Sequence, residues 1–109
     1  MEKIKSKQEL HELLDNNSNS DELLIVKFSA PWCGPCRMLA GVIERIEKEQ
    51  ENVKFVDIDV DELEEIATEY AIMSIPVLLF FKGGFQVDKV VGGIPEKTLR
   101  EKIEENINK

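Results

Sequence analysis

The sequence is poor in the residues that zinc, iron–sulfur and haem sites need. Its 109 residues include only two cysteines, Cys33 and Cys36, and one histidine, His11. A zinc site would need a second pair of soft ligands, and an iron–sulfur cluster would need four cysteines. Covalent haem attachment needs a histidine after the second cysteine, where Arg37 stands. We therefore expect no metal and no cofactor, and we assign His11 to a solvated helix surface.

Basic clusters and long apolar runs are also missing. The chain has 14 Lys and Arg against 22 Asp and Glu, a formal net charge of −8, and its Lys and Arg are scattered. Nucleic acid is therefore not an expected partner. The longest strongly apolar run, Val77 to Phe81, is far shorter than the roughly 20 residues of a membrane helix, and the first residues lack the apolar segment of a secretory signal. We expect a cytoplasmic protein that contacts no membrane.

The periodicity of the apolar residues predicts one α/β domain over residues 1–109. Strands and helices alternate at first, which favours parallel pairing, and a Gly83-Gly84 turn adds an antiparallel strand. Helices should cover both faces of the sheet. Strands are predicted over Leu23–Phe28, Val53–Ile58, Val77–Phe81 and Gln86–Val91, with another near Glu2 to Lys5. Helices are predicted from a cap at Ser6 to about Asn16, from near Gly34 to about Gln50, after a cap at Asp61, and with Pro95 in the first helical position.

The two cysteines bracket the predicted start of the second helix. A bridge over two residues closes almost no loop, so it adds little as a structural staple, and a dithiol that cycles between reduced and oxidised states is expected instead. Cys33 should stand near the N-cap, where free N–H groups and the helix dipole favour thiolate and lower its pKa. Cys36 should lie one turn deeper. Cys33 is thus the predicted nucleophile and Cys36 the resolving thiol. Pro35 suits a first turn, and Gly34 keeps Cys33 approachable.

The segment Trp32-Cys33-Gly34-Pro35-Cys36 resembles the active-site motif of the thioredoxin family. The Ile75-Pro76 step, the segment Phe81-Lys82-Gly83-Gly84 and Gly92 extend the resemblance over nearly the full chain. It implies a central five-stranded mixed sheet flanked by four helices, and a cis bond before Pro76.

The resemblance also implies an activity. Cys33 would attack disulfides of protein substrates, and Cys36 would release them. A thioredoxin reductase, which carries the flavin and NADPH, would recycle the oxidised form, and the protein is expected to be a monomer. The implied substrate-docking groove around the dithiol consists of Trp32, Ile75, Pro76 and Gly92.

Four residues depart from the family pattern. Lys27, six residues before the first cysteine, stands where the family usually has a buried Asp, and Phe55 where many members have a Lys beside that Asp. Gly41 replaces a helix-kinking Pro, and Val77 follows Pro76 where Thr is common. Lys27 is also the one charged residue of an apolar run expected to be buried on both faces.

Lys27 allows three interpretations, because a buried ammonium without a partner is costly. It could be a neutral amine that accepts the Cys36 proton, a charged group paired with Asp57, or a side chain that snorkels to the edge of the sheet. We favour the Asp57 pair. Lys27 and Asp57, with Gly34 and Pro35 between the cysteines, are therefore the residues predicted to tune the dithiol.

Two functions other than disulfide reduction are consistent with this sequence. A thiol oxidant or isomerase on the same fold would use the same cysteines, although such relatives often carry His where this chain has Gly34-Pro35. A docking module would bind its partner whatever the redox state, and would keep that function after both cysteines are changed to Ser.

Overall fold

The computed structural model describes residues 1–109 and confirms the α/β architecture with a five-stranded mixed sheet and four helices. In chain order the elements are β1 (Glu2–Lys3), α1 (Lys7–Ser18), β2 (Leu23–Ser29), α2 (Gly34–Glu49), β3 (Val53–Asp59), α3 (Glu64–Glu69), β4 (Val77–Lys82), β5 (Phe85–Val91) and α4 (Glu96–Ile107). None of the helices combines the length and the apolarity that crossing a membrane requires.

The strands lie in the order β1-β3-β2-β4-β5, which places β2 in the centre. β3 pairs parallel with both β1 and β2, whereas β4 pairs antiparallel with β2 and β5. The β4–β5 turn needs Gly83 and Gly84, whose φ angles of 62° and 83° lie in the left-handed region. The carboxyl ends of β2 and β3 and the beginning of β4 therefore lie at the same end of the sheet.

Each face of the sheet carries its own apolar cluster of eleven buried residues. On one face, Leu24, Val26 and Phe28 of β2 pack with side chains from α1 and α3. On the other, Leu23 and Ile25 pack with side chains from α2 and α4. The alternation of a strand buried on both faces produces this division.

Two predicted helix starts are wrong in detail. Asp61 does not cap α3, because the helix begins at Glu64 with Leu63 as its N-cap. Asp59 supplies the side-chain acceptor before that helix, since its Oδ1 accepts from the N–H groups of Asp61 and Glu62 at 2.8 and 3.3 Å. Pro95 is the N-cap residue of α4, one position before the first turn predicted for it.

The other predicted boundaries agree within two residues. Ser6 caps α1 by accepting from the N–H of Glu9 at 3.1 Å, and the helix continues to Ser18 rather than ending near Asn16. α2 passes through Gly41 without interruption. His11 is exposed on α1, as expected.

Candidate active site

The two cysteines lie at the junction between β2 and α2. Cys33 is the N-cap residue of α2, and its Sγ accepts a hydrogen bond from the N–H of Cys36 at 3.2 Å. The two residues form a disulfide with a Cα–Cα distance of 5.3 Å. Cys33 is 5% exposed and Cys36 only 1%, as their positions in the helix predict. Cys33 is therefore the more accessible of the two residues.

The first turn of α2 contains a basic side chain but no acidic one. No side chain of this turn therefore offsets the positive end of the helix dipole beside Cys33. Arg37 adds a cation next to Cys36, and its Nη1 donates to the carbonyl of Pro31 at 2.7 Å. From the sequence we assigned Arg37 no role beyond excluding haem. Its position directly after the second cysteine is the signal that could have indicated a role beside the dithiol.

Pro76 and Gly92 lie side by side where β2 runs into the dithiol loop. Val77 is paired with Phe28 on one side and with Val91 on the other, which brings the preceding Pro76 and the following Gly92 together. The N–H of Gly92 donates to the carbonyl of Pro76 at 2.7 Å, and its φ of 87° suits glycine. The predicted cis bond between Ile75 and Pro76 is confirmed.

Ile75 and Trp32 also lie at this end of the sheet. Ile75 is half-buried, and neither its N–H nor its carbonyl forms a backbone hydrogen bond within the chain. Trp32 is 68% exposed, and its Nε1 donates to Oδ2 of Asp61 at 2.8 Å. Asp61 follows β3, which runs parallel to β2, so it lies at the same end of the sheet as Trp32. From the sequence we read Asp61 only as a helix cap, because the parallel register that brings it to Trp32 is not visible there.

Exposed apolar surface is concentrated near these positions in the chain. Six large hydrophobic residues are exposed, and four of them lie within two residues of a cysteine or a predicted groove residue: Trp32, Met38, Met73 and Val91. Apolar side chains exposed together are typical of surfaces that bind other proteins, and methionine adapts to differently shaped partners.

Lys27 is buried, like every other residue of β2. It is 4% exposed and belongs to the central strand, so the interpretation that it snorkels to the edge of the sheet is wrong. Its Nζ lies 3.5 Å from Oδ1 of Asp57, which is directly opposite on β3. Phe55 is paired instead with Ile25 and is buried in the apolar cluster, so residue 55 is not the cross-strand neighbour of Lys27.

A polar cavity of about 180 Å³ lies behind the disulfide. Ser29, at the end of β2, donates its hydroxyl to Oδ1 of Asp57 at 2.7 Å, so this oxygen is shared between Ser29 and Lys27. The cavity is lined by Lys3, Lys27, Ser29, Ala30, Pro31, Cys36, Arg37, Ala40, Asp57 and Asp59. The structure thus brings the predicted pair, Lys27 and Asp57, to the wall that also contains Cys36.

Lys3 of β1 connects this cavity to the surface. Its Nζ donates to Glu62 at 3.2 Å and lies 4.0 Å from Asp59. The hydrogen bond to Glu62, together with the attraction of Glu62, Asp59 and Asp57, raises the pKa of Lys3 above its ordinary value. Lys3 is therefore a lasting positive charge at the cavity mouth. No group of three or more His, Cys, Asp or Glu side chains is arranged to hold a metal ion.

The chain is similar to known proteins over nearly its whole length. A family model described as Thioredoxin matches residues 2–105. Thioredoxin 1 of a Nostoc species is 46% identical over 90 residues, which are 82% of this chain and 84% of that protein. The thioredoxin of Mycoplasmoides gallisepticum is 41% identical over 101 residues, which are 93% of this chain and 97% of that protein.

Solved structures give the same result. A thioredoxin from Nicotiana alata superimposes with a TM-score of 0.88 at 34% identity, over 95% of this chain and 90% of that chain. A poplar thioredoxin h superimposes with a TM-score of 0.89 at 30% identity, over 99% of this chain and 96% of that chain.

Proposed function

Because the chain belongs to the thioredoxin family and is a thiol-disulfide oxidoreductase, we propose that it reduces disulfides of other proteins through Cys33 and is recycled by a thioredoxin reductase. The observation that carries the mechanism is the placement of Cys33 at the N-cap of α2, with no acidic residue in the first turn and with Cys36 buried behind it. That environment favours the thiolate of Cys33.

The first step forms a mixed disulfide. The Cys33 thiolate attacks one sulfur of the substrate disulfide, a bond forms between Cys33 and that sulfur, and the substrate S–S bond breaks. The other substrate sulfur leaves as a thiolate and takes up a proton.

The second step releases the substrate. Cys36 gives up its proton and attacks Sγ of Cys33, so the Cys33–Cys36 bond forms while the mixed disulfide breaks. The second substrate sulfur leaves as a thiolate and is protonated. Two electrons have then passed from the dithiol to the substrate, and a reductase that carries flavin and NADPH returns them.

Substrate docking would use the apolar surface around the dithiol. We propose that Trp32, Pro76 and Gly92 contact the residues flanking the substrate cysteine. The free backbone groups of Ile75 would pair with an extended substrate segment as a short strand. Gly34 lacks a side chain and Pro35 stiffens the first turn, so together they would keep Cys33 approachable.

Insulin reduction tests the proposal. Wild type should reduce insulin with dithiothreitol, and then with NADPH and a thioredoxin reductase. Cys33→Ser should be inactive, whereas Cys36→Ser should trap substrate as a mixed disulfide. No insulin reduction by wild type, or a wild-type rate in Cys33→Ser, would contradict the proposal.

The same variants separate the two competing functions. An oxidant or isomerase would oxidise dithiols or unscramble disulfides faster than it reduces insulin. A docking module would keep its partner and its function in the double variant Cys33→Ser, Cys36→Ser, whereas a reductase would lose its function.

We also propose that the protein works as a monomer in the cytoplasm. A dithiol reductant works in a reducing compartment, and the exposed apolar side chains near the dithiol must stay free for substrates. Sedimentation should give the mass of one chain, and cell fractionation should recover the protein with cytoplasmic markers. A stable dimer that hides Trp32, or recovery in a membrane-enclosed fraction, would contradict this part of the proposal.

A further inference from the structure

The ammonium group of Lys27 is nearly enclosed and incompletely partnered. Its side chain is 5% exposed, and its one ion-pair partner is Oδ1 of Asp57 at 3.5 Å, which is longer than an ordinary hydrogen bond. Oδ1 already accepts the closer hydroxyl of Ser29 at 2.7 Å. An ammonium has three donors, so Lys27 retains donors that the protein does not satisfy.

Those donors have access to the cavity behind Cys36. The only fully enclosed side-chain polar atom without a hydrogen-bond partner is Oδ1 of Asn106, at the opposite end of the molecule. Nζ of Lys27, which forms no hydrogen bond, is therefore not sealed off. The cavity of about 180 Å³ that Lys27 shares with Cys36 is the space into which it opens.

The charges around the cavity favour an anion at Cys36. The lining contains three cations, from Lys3 on β1, Lys27 on β2 and Arg37 on α2, and two carboxylates, from Asp57 and Asp59 on β3. The difference, 3 − 2, leaves one net positive charge on the lining itself. Glu62, which is outside the lining, pairs with Lys3 at the mouth and offsets that cation, so Lys27 and Arg37 are the cations of the lining that face Cys36 without a carboxylate at hydrogen-bond distance. A thiolate is the anion that the chemistry of this site generates there.

We propose that Lys27 is a positioning residue whose buried positive charge stabilises the Cys36 thiolate, and that Asp57 holds this charge in place while weakening its effect. This proposal rests on the proposed reductase function and concerns its second step. Cys36 would lose its proton to solvent through the cavity, with Lys27 remaining charged throughout. The thiolate would then attack Cys33, as described above, and the substrate sulfur would leave.

The two members of the pair should act on Cys36 in opposite directions. In Lys27→Met the thiolate loses a nearby cation, so Cys36 should titrate about one pH unit higher. In Asp57→Asn the Ser29 hydroxyl keeps an oxygen acceptor, but a carboxylate is lost, so Cys36 should titrate lower than in wild type. The double variant should lie close to wild type, and Lys27→Arg, which keeps the charge, should also stay close to wild type.

The titration is best measured with Cys36 as the only thiol. All variants are made in a Cys33→Ala background, and the ultraviolet absorbance of the thiolate is followed against pH. Lys102→Met and Asp88→Asn serve as matched controls, because that Lys–Asp pair, at 3.1 Å, does not line the cavity. Neither control should move the Cys36 titration.

A second measurement, in the otherwise unchanged protein, links the titration to the reaction. An upward shift of one pH unit in Lys27→Met would make the thiolate fraction of Cys36 about tenfold smaller at neutral pH. The higher nucleophilicity of the more basic Cys36 thiolate would partly offset this loss. The mixed disulfide of Lys27→Met should therefore resolve about threefold more slowly at neutral pH. If Lys27→Met does not fold, Lys27→Gln, which keeps a polar side chain but not the charge, replaces it and should raise the Cys36 titration in the same way.

Shifts of both single variants in the same direction, or shifts no larger than in the controls, would overturn the role of Lys27. The Cys36 titration needs no substrate, so such a result would leave the reductase function standing. Conversely, a failure of insulin reduction would contradict that function without affecting the titration.

Discussion

The two faces of the central strand β2 bury different chemistry. On the face covered by α1 and α3, Leu24, Val26 and Phe28 are apolar to the end of the strand. The face covered by α2 and α4 begins in the same way with Leu23 and Ile25, but ends in Lys27 and Ser29. One strand therefore forms an apolar core on one face and, through Lys27 and Ser29, the wall of a polar cavity on the other.

This difference shows where the fold tolerates the cost of buried charge. The polar residues lie only at the carboxyl end of β2, where the strand meets the dithiol, and Asp57 and Asp59 extend the same cavity on β3. Burying a charge is costly unless it is paired, so its confinement to this end favours a role in the chemistry over a role in stability. Substitutions on the two faces of β2 and at two polar sites outside this strand test the division, from the largest expected loss of unfolding free energy to the smallest.

Phe28→Ala tests the apolar face. Phe28 is fully buried and its ring packs against Tyr70 at a centroid distance of 6.1 Å, so its truncation should cost about 3–5 kcal/mol of unfolding free energy. Urea unfolding measures this loss. The Cys36 titration should stay unchanged in the folded variant, in contrast to Lys27→Met one residue earlier. A shifted Cys36 titration in Phe28→Ala would break the distinction between the faces.

Asp88→Asn tests a polar network away from the dithiol. Burial alone would raise the pKa of Asp88, but hydrogen bonds from Asn106, Lys102 and the N–H of Lys89 together lower it below its ordinary value of 3.8. Because the folded chain then holds this proton less tightly than the unfolded chain, the stabilisation is complete above that ordinary value. It is lost as the pH falls through the lower pKa of the folded state.

Asp88→Asn should therefore lower the unfolding free energy by about 1–3 kcal/mol at neutral pH. The difference from wild type should shrink as the pH falls below 3.8. Thermal unfolding at a series of pH values measures both quantities. A difference that does not change with pH would show that the charge of Asp88 contributes nothing.

Ser29→Ala tests the polar end of β2. The variant removes the hydroxyl that donates to Asp57 at 2.7 Å and should cost about 1–2 kcal/mol, because the carboxylate keeps Lys27 and is partly exposed. Ser29→Thr, which keeps the hydroxyl, is the control. A loss as large as that of Phe28→Ala would mean that the cavity is as important to stability as the apolar core.

Trp32→Phe should have the smallest effect. The indole is 68% exposed and loses one hydrogen bond to Asp61, so the unfolding free energy should fall by about 0.5–1 kcal/mol. Asp61→Asn keeps an oxygen acceptor for the indole and should be closer to wild type. Equal losses in the two variants would indicate that this hydrogen bond is not what Trp32 contributes to stability.

The strands, the longer helices and the dithiol could be predicted because local signals determine them. Apolar alternation identifies β2, the i, i+3, i+4 spacing of Leu39, Val42 and Ile43 identifies α2, and the spacing of the cysteines places Cys33 at its N-cap. These signals lie within a few residues of one another in the chain.

The remaining features depend on register between strands. The hydrogen bonds of Trp32 with Asp61 and of Ser29 with Asp57 join residues about 30 positions apart, and neither was predicted. A shift of the parallel register would give Lys27 another neighbour. Residue 55, which the family resemblance implied to be next to residue 27, is opposite Ile25 instead. The Lys27–Asp57 pair was anticipated because both residues face the same side of adjacent strands.

The central claim is that Cys33, at the helix N-terminus, is the nucleophile of this dithiol. The most direct test treats the reduced protein with a limiting amount of iodoacetamide at neutral pH and maps the adduct by mass spectrometry. Its position at the N-cap and its greater exposure predict that Cys33 is alkylated first, with Cys36 largely unmodified. Preferential alkylation of Cys36 would contradict the assignment of the two thiols and the mechanism built on it.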